Sequence, residues 1–251
     1  MKKLLTLSDV SYFYQTKENE IEALKEINFS LDEHSFSSLV GPSGCGKTTI
    51  LSLIAGLLSP SKGQILLGDK PIEKNDRRIG YMFQRDHLFE WRTIWQNIIL
   101  GLEIQNKHKD PDKLAFAEEL LKKYDLYAFK TKKPRQLSGG MRQRVALIRT
   151  LVLQPSLLLL DEPFSALDFQ TRLKVCDDVY DIIKSEKKTA LLVTHDISEA
   201  LSMSDKVIIL SQRPAVVKEE VPLSLTGNTP LKKREDKDFG KYFEMIWRNL
   251  C

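Results

Sequence analysis

Hydrophobic and polar residues alternate along the first part of the chain with the period of two that is typical of β-strands. Short apolar runs that are predicted to be strands occupy residues 4–11, 27–31, 36–40, 64–67 and 79–83. Between them, residues 48–58 are predicted to form a helix that ends before Pro60. The first third of the chain is therefore expected to be mainly β structure with one helix.

The middle of the chain, residues 85–137, has apolar residues at helical spacing and no strand pattern. The clearest positions of this helical stripe are Leu114, Ala117, Leu121 and Tyr124. We predict that this segment is a helical subdomain inserted into an α/β core, which consists of residues 1–84 and 138–251.

Strands and helices alternate again in the last part of the chain. Predicted helices occupy residues 142–153 and 173–183, and predicted strands occupy residues 157–160, 190–193 and 207–210. Residues 157–160 are all leucine, as expected of a strand buried on both faces. This alternation indicates a mostly parallel sheet in an α/β fold. A final helical stripe of Phe239, Phe243, Ile246 and Leu250 favours a helix packed on its own domain.

The composition excludes several classes of protein. A content of 42% hydrophobic and 29% charged residues is typical of a globular domain. The net charge of +4 is spread over 38 basic and 34 acidic residues, so no nucleic-acid partner is expected. The three widely spaced cysteines support neither a disulfide framework nor a zinc site. No segment approaches the roughly 18 to 20 apolar residues that span a bilayer.

The strongest chemical signal is a phosphate-binding loop that follows a predicted strand and precedes a predicted helix. Its residues are Gly41, Pro42, Ser43, Gly44, Cys45, Gly46, Lys47 and Thr48. Glycines let backbone N–H groups converge on phosphate oxygens, and the helix directs its positive end to the same place. We expect Lys47 to reach the β- and γ-phosphates of ATP, Thr48 to hold Mg²⁺, and Thr49 to belong to the same site.

Two adjacent carboxylates follow the leucine strand. Asp161 and Glu162 lie where the strand ends, at the edge of the sheet where ligands bind in α/β proteins. We expect Asp161 to hold Mg²⁺, directly or through water, and Glu162 to activate the attacking water as a general base.

A third segment, residues 137–143, places Ser138, Gly139 and Gly140 at the start of a predicted helix. Such a start is a second candidate site for an anion, although alone it indicates no more than a helix cap. The three segments together resemble the nucleotide-binding subunit of an ABC transporter, and the resemblance covers about residues 4–235. Residues 137–143 resemble the family signature, with Met141 where glutamine is commonest.

The resemblance implies roles for further residues. Gln84 resembles the glutamine that touches Mg²⁺ or water and senses the partner subunits, and His195 resembles the switch histidine that contacts the γ-phosphate. Tyr14 resembles the aromatic residue that stacks on adenine, although Tyr12 or Phe13 could take that role. Residues 165–168 resemble the loop that follows the catalytic carboxylate in this family.

The resemblance also implies partners. A second copy is expected to form a head-to-tail dimer, in which Ser138, Gly139 and Gly140 cap the γ-phosphate held by the other subunit. Transition-state charge needs donors on both sides of the phosphate, which agrees with this arrangement. Transmembrane permease subunits would receive the motion, an extracytoplasmic solute-binding protein would act through them, and the chain would lie peripherally at the cytoplasmic face of the membrane.

Two other classes of protein compete with a transporter subunit. Soluble ABC ATPases of translation carry two cassettes in one chain, and those of DNA repair insert long coiled coils, neither of which is seen here. A protein that binds nucleotide without turnover would lack the base or the signature, yet Glu162, His195 and Ser138 are present. The transporter is therefore favoured over both.

Import is favoured over export, because no membrane domain is fused to the cassette. Residues 91–93 and the segment around Arg213 and Pro214 resemble the nitrate, sulfonate and taurine import group, whose relatives also carry thiamine or pyrimidine precursors. Glu90 departs from that group, which usually has proline before the tryptophan.

Overall fold

The computed structural model describes residues 2–15 and 19–250 of the chain. Its first half contains β1 (Lys3–Gln15), β2 (Glu20–Asp32), β3 (Phe36–Val40), α1 (Lys47–Ile54), β4 (Lys62–Leu67), β5 (Lys70–Pro71), β6 (Ile79–Met82), α2 (Ile94–Ile98), α3 (Leu100–Ile104) and α4 (Pro111–Lys123). Its second half contains α5 (Gly139–Leu151), β7 (Leu157–Asp161), α6 (Phe169–Ser185), β8 (Thr189–Val193), α7 (Ile197–Met203), β9 (Lys206–Leu210), β10 (Val217–Pro222), α8 (Pro230–Lys233) and α9 (Phe239–Leu250).

The N-terminal strands form a four-stranded antiparallel sheet in the order β2-β1-β4-β5. Leu5 pairs with Leu31 and Leu7 with Phe29, so the alternating apolar residues share one face. That face is buried and packs in one apolar cluster with residues of α1, among them Ile50. The cluster places the start of α1 under the N-terminal sheet.

The core sheet has six strands in the order β10-β9-β3-β8-β7-β6. All neighbours are parallel except β10, which runs antiparallel to β9 at one edge. The four leucines of β7 are completely buried, because α5 and α6 cover one face and α1, together with the N-terminal sheet, covers the other. The predicted α/β fold, with a mostly parallel core sheet and an antiparallel N-terminal part, is confirmed.

Strand order brings the candidate site together. The strand β8 lies between β3 and β7, and all three are parallel. Their carboxyl ends therefore reach the same edge of the sheet, where β3 leads to Gly41, β7 ends at Asp161, and β8 leads to His195.

The segment at residues 85–137 contains α2, α3 and α4 and no strand. These helices pack against α5, and Ile98 and Leu121 belong to the same buried cluster as Ile148 and Leu192. The apolar core thus continues from the helical segment to the sheet. The division into an inserted subdomain and a core at residues 84 and 138 stays a prediction.

The predicted helix at residues 48–58 is wrong at its end, because α1 stops at Ile54. Gly56 takes a left-handed conformation with φ +68°, and its N–H donates to the carbonyl oxygen of Leu53. A Cβ atom at this position would lie 2.4 Å from the carbonyl oxygen of Glu73. The close approach of a distant loop therefore fixes the end of the helix.

Near the site, α6 starts earlier than predicted, and the short helix α7 was not predicted. The helix α6 begins at Phe169, four residues before the predicted start, because Asp168 caps it by accepting from the N–H of Thr171. The helix α7 begins after Asp196, which accepts from the N–H groups of Ser198 and Glu199. Both caps lie beside the carboxyl edge of the core sheet.

The last helix, α9, packs on its own domain as predicted. Ile246 is buried, and Phe239, Phe243 and Leu250 pack around it in a cluster with residues of α7 and β9. Across the described residues, every helix is too short or too polar to cross a bilayer.

Candidate nucleotide site

The loop at residues 41–48 connects β3 to α1 and carries its lysine in a buried position. The Nζ atom of Lys47 donates to the carbonyl oxygens of Gly41, at 2.7 Å, and Pro42, at 3.0 Å. Gly46 has φ +121°, and a Cβ atom there would lie 2.8 Å from Leu24. The loop thus needs glycine at this position to pass beneath the N-terminal sheet.

The helix α1 directs its N-terminus into an open cleft of about 610 Å³. The cleft is lined by Ser43, Gly44, Gly46, Lys47, Thr48, Thr49, Glu162 and His195. Gly46 at the helix start has no side chain that could cap the first backbone N–H groups, so these groups suit an anion such as a phosphate. The volume is within the range of small-molecule sites. Gly41, Pro42 and Cys45 complete the loop, with Cys45 buried behind it.

Asp161 lies at the end of β7 and is held by a tyrosine that the sequence did not indicate. The hydroxyl group of Tyr81, on the neighbouring strand β6, donates to Oδ2 of Asp161 at 3.0 Å. Burial raises the pKa of Asp161, and the charge of Glu162 adds to this effect. The hydrogen bond from Tyr81 and the charge of Lys47 act in the opposite direction. The carboxylate is therefore partly desolvated and oriented.

Glu162 meets two of the predicted site residues. Its Oε2 lies 3.1 Å from Nδ1 of His195 and 3.5 Å from Nε2 of Gln84. The backbone is fixed at φ +44°, where its N–H donates to the carbonyl oxygen of Val193 and its own carbonyl accepts from the hydroxyl group of Ser165. A carboxylate held in this way, in the cleft that the N-terminus of α1 also lines, is suited to accept a proton from water.

Ser165 connects Gln84 to Glu162 by a second route, since Nε2 of Gln84 lies 3.3 Å from the hydroxyl oxygen of Ser165. The sequence placed Ser165 in the loop after the carboxylates and gave it no role in the site. Its side chain contacts both candidate catalytic residues, a relation that depends on tertiary structure.

Of the three aromatic candidates for adenine stacking, Tyr14 lies next to α1, the helix that follows the loop. Its hydroxyl oxygen is 2.9 Å from Oγ1 of Thr49, and the residue is 37% exposed. Tyr12 packs edge-on against Tyr14 and joins the apolar core. Phe13 instead lies under the ammonium group of Lys62. The contacts favour Tyr14 over its neighbours.

We expect Tyr14→Ala to weaken ATP binding by about 1 to 3 kcal/mol, or roughly 5- to 150-fold in Kd, because a base would lose its stacking surface. Tyr14→Phe keeps the ring and removes only the hydroxyl contact to Thr49, so it should lose much less. Fluorescence titration with a labelled ATP analogue measures both, with Phe13→Ala as the matched control. A large loss in the control and none in Tyr14→Ala would assign the stacking to Phe13.

The signature segment (residues 137–143) does not join the other site residues. Ser138 caps α5 by accepting from the N–H of Met141 at 3.3 Å. Ser138 and Gly139 are exposed, whereas Gly140 is buried against α6. None of the three lines the cleft of its own chain. A single chain thus presents the cleft at the loop and, elsewhere, a capped helix start.

The model of the family described as ABC transporter matches residues 24–165 of this chain. A protein of Bacillus subtilis (strain 168), described as an uncharacterized ABC transporter ATP-binding protein, YtlC, is 44% identical over 98% of this chain and 95% of its own length. The chain belongs to the ABC transporter family. It is therefore an ABC-type ATPase with a nucleotide site, and the predicted family is confirmed.

Other members of the ABC transporter family carry more specific descriptions. The aliphatic sulfonates import ATP-binding protein SsuB of Bacillus thuringiensis subsp. konkukian (strain 97-27) is 36% identical over 88% of this chain and 87% of its own. The structure of a post-hydrolysis dimer of the ATP-binding cassette MJ0796 with ADP and Pi matches with a TM-score of 0.71 and 33% identity. That match covers 88% of this chain and 99% of the cassette, so it confirms the ATPase fold.

Proposed function

We propose that the chain is the ATP-hydrolysing subunit of an ABC importer for a small solute. The observation that carries this proposal is the similarity to an ATP-binding protein of aliphatic sulfonate import over most of both chains. The geometry of the cleft supports ATP hydrolysis. The N-terminus of α1, which suits a phosphate, and Glu162, the candidate base, line the same cleft.

In this proposal each residue of the cleft has a separate task. Tyr14 stacks on adenine, the loop at residues 41–49 binds the phosphates, and Glu162 accepts a proton from the attacking water. His195 contacts the γ-phosphate and, at 3.1 Å from Glu162, orients that carboxylate. Gln84 positions the water or the metal ion from the other side of Glu162.

Mg²⁺ is the proposed metal, held by Thr48, Gln84 and Asp161. These residues offer a hydroxyl, an amide carbonyl and a carboxylate oxygen, which are the donors that Mg²⁺ prefers. The partial burial of Asp161 raises its pKa, and a divalent cation would stabilise its charged form. Mg²⁺ commonly takes one or two carboxylates plus substrate phosphates, so this small set fits. The ion would neutralise charge on the β- and γ-phosphates.

A head-to-tail dimer would complete the site. The N-terminus of α5 is exposed at Ser138 and Gly139 and lies outside the cleft of its own chain. From a second copy, Ser138, Gly139 and Gly140 would supply donors on the open side of the γ-phosphate, where transition-state charge develops. The dimeric state of the cassette MJ0796 with ADP and Pi supports this arrangement.

The remaining partners follow from import. Transmembrane permease subunits would receive the movement of Gln84 and of the helical segment at residues 85–137, and an extracytoplasmic solute-binding protein would deliver the solute to them. The chain would then lie peripherally on the cytoplasmic face of the membrane. We propose a sulfonate, taurine or nitrate-like solute, with a thiamine or pyrimidine precursor as the second candidate class. A soluble ABC ATPase without a transport role is the alternative function.

Uptake in the native host tests import directly. Deletion of the gene is expected to abolish uptake of radiolabelled ethanesulfonate or taurine, because ATP hydrolysis by this subunit drives the transport cycle. Expression of the wild-type chain should restore uptake, whereas a Glu162→Gln chain should not.

If the deletion abolished uptake of a labelled pyrimidine precursor and left sulfonate uptake normal, the transported solute would belong to the second candidate class. Normal uptake of all these solutes after deletion would contradict the importer and favour the soluble alternative. Purification of the tagged chain from membranes supplies the independent measurement, since permease subunits should be recovered with it.

A further inference from the structure

Arg142 ties the first turns of α5 to the turn that follows Gln84 (residues 85–90). Its Nε donates to Oδ2 of Asp86 at 2.8 Å, and its Nη2 donates to Oδ1 of Asp86 at 3.2 Å. The same Nη2 lies 3.0 Å from Oε1 of Glu90. The side chains of Arg142 and Asp86 are only 28% and 17% exposed. The contact is therefore better shielded and more directional than an ordinary surface ion pair.

Asp86 is itself fixed inside this turn. Its Oδ1 accepts from the N–H of Leu88 at 3.0 Å, and Arg149, two turns farther along α5, donates to the carbonyl oxygens of Asp86 and His87, both at 2.7 Å. Burial alone would raise the pKa of Asp86, but the hydrogen bonds from Arg142 and Leu88 lower it overall. The carboxylate is thus ionised and held from two sides.

The contact between Arg142 and Asp86 connects the segment that carries Gln84 with the helix that Ser138 caps. Gln84 lies directly before the turn, and its amide nitrogen is 3.5 Å from Glu162. Ser138 caps the helix that carries Arg142, which is about one helical turn away. Because a bidentate pair resists sliding in its plane, displacement of Gln84 and the turn is expected to move the N-terminus of α5 with it.

We propose that Arg142 is a positioning residue that couples the place of Gln84 in its own nucleotide site to the orientation of Ser138 toward the partner's ATP. This inference rests on the proposed head-to-tail dimer. Arg142 lines no part of the cleft and acts through Asp86 and Glu90. The occupied state of one site would in this way influence closure of the other.

If the contact between Arg142 and Asp86 only stabilised the fold, its removal would lower the thermal stability and the affinity for ATP together. The two roles are separated by measuring binding to the single subunit and ATP-dependent dimer formation on the same proteins. In a Glu162→Gln background, Arg142→Gln is expected to leave the Kd for a labelled ATP analogue within about twofold. It should weaken ATP-dependent dimer formation about tenfold, within the usual range of coupling between sites.

Arg92→Gln is the matched control. It removes an ion pair of similar exposure, to Glu103, that lies wholly within the helical segment and does not reach α5. Asp86→Asn removes the negative charge that pairs with Arg142. It keeps an acceptor for the N–H of Leu88, so it carries less risk to folding. The double variant with Asp86→Asn and Arg142→Gln should lose little more than either single variant, because both remove one shared interaction.

Normal dimer formation by both single variants would overturn the coupling. Equal losses of dimer formation, nucleotide binding and thermal stability would do the same, because they would indicate only a structural brace. A Glu162→Gln parent that stays monomeric with ATP and Mg²⁺ would instead overturn the dimer, and this proposal with it.

Discussion

Glu162→Gln is expected to bind ATP normally and to lose hydrolysis by roughly 10²- to 10⁴-fold, the usual contribution of a positioned general base. The amide has nearly the shape of the carboxylate, so the hydrogen bond from Gln84 and the close contact with His195 can persist. What it lacks is the basic oxygen that takes a proton from water. With ATP bound and not consumed, the closed dimer should accumulate.

Phosphate release measures the loss of turnover, and light scattering on a sizing column with ATP and Mg²⁺ measures the dimer. Glu103→Gln is the matched control, because its carboxylate is also partly exposed and pairs with a basic side chain, at a place outside the cleft. That variant should turn over ATP at the wild-type rate. Turnover near the wild-type rate in Glu162→Gln would remove the general-base role from this residue.

The candidate catalytic carboxylates illustrate how much of the site the sequence predicts. The leucine strand predicts that Asp161 and Glu162 reach a sheet edge, and the structure places them there. It does not predict the hydroxyl group of Tyr81 on Asp161, because that contact depends on the lateral pairing of β6 with β7. Local patterns determine where a strand ends, whereas neighbours in the sheet are decided by the packing of the whole domain.

Tyr14 is a second example of a residue whose contacts the sequence does not predict. The resemblance favours Tyr14 for adenine stacking but leaves Tyr12 and Phe13 open, and the contacts of the three residues differ. Tyr14 reaches Thr49, which is 35 residues away, while Phe13 lies under Lys62. Likewise, the end of α1 depends on the distant carbonyl of Glu73, which leaves room only for glycine at position 56. Helix ends and side-chain contacts of this kind are set by tertiary structure.

The departure at Glu90 gains a physical explanation. The import group that the chain resembles usually has proline there, and proline has no charged side chain that could pair with the guanidinium group of Arg142. In this chain Glu90 lies 3.0 Å from that group, beside the stronger contact to Asp86. A substitution that looks unfavourable for the group assignment is therefore part of an interaction between the turn after Gln84 and α5.

The separation of the signature segment from the cleft yields the sharpest test of the dimer. Lys47→Ala is expected to weaken ATP binding roughly 10- to 150-fold, because a buried ammonium that would contact phosphate is lost. Ser138→Arg leaves the loop intact and places a bulky side chain at the exposed start of α5. Each variant alone should have almost no ATPase activity, since every site in its dimer contains the defect.

An equal mixture of the two variants should recover activity up to about a quarter of the wild-type rate, since about half of the dimers are mixed and each has one intact site. In a mixed dimer, the unaltered loop of the Ser138→Arg chain faces the unaltered signature segment of the Lys47→Ala chain. A mixture of Lys47→Ala with Glu162→Gln is the control. Both defects there lie in the loop half of the site, so no mixed dimer has an intact site and no activity should return. If Ser138 acted within its own chain, the first mixture would stay as inactive as the control, because every chain would carry one defect of its own.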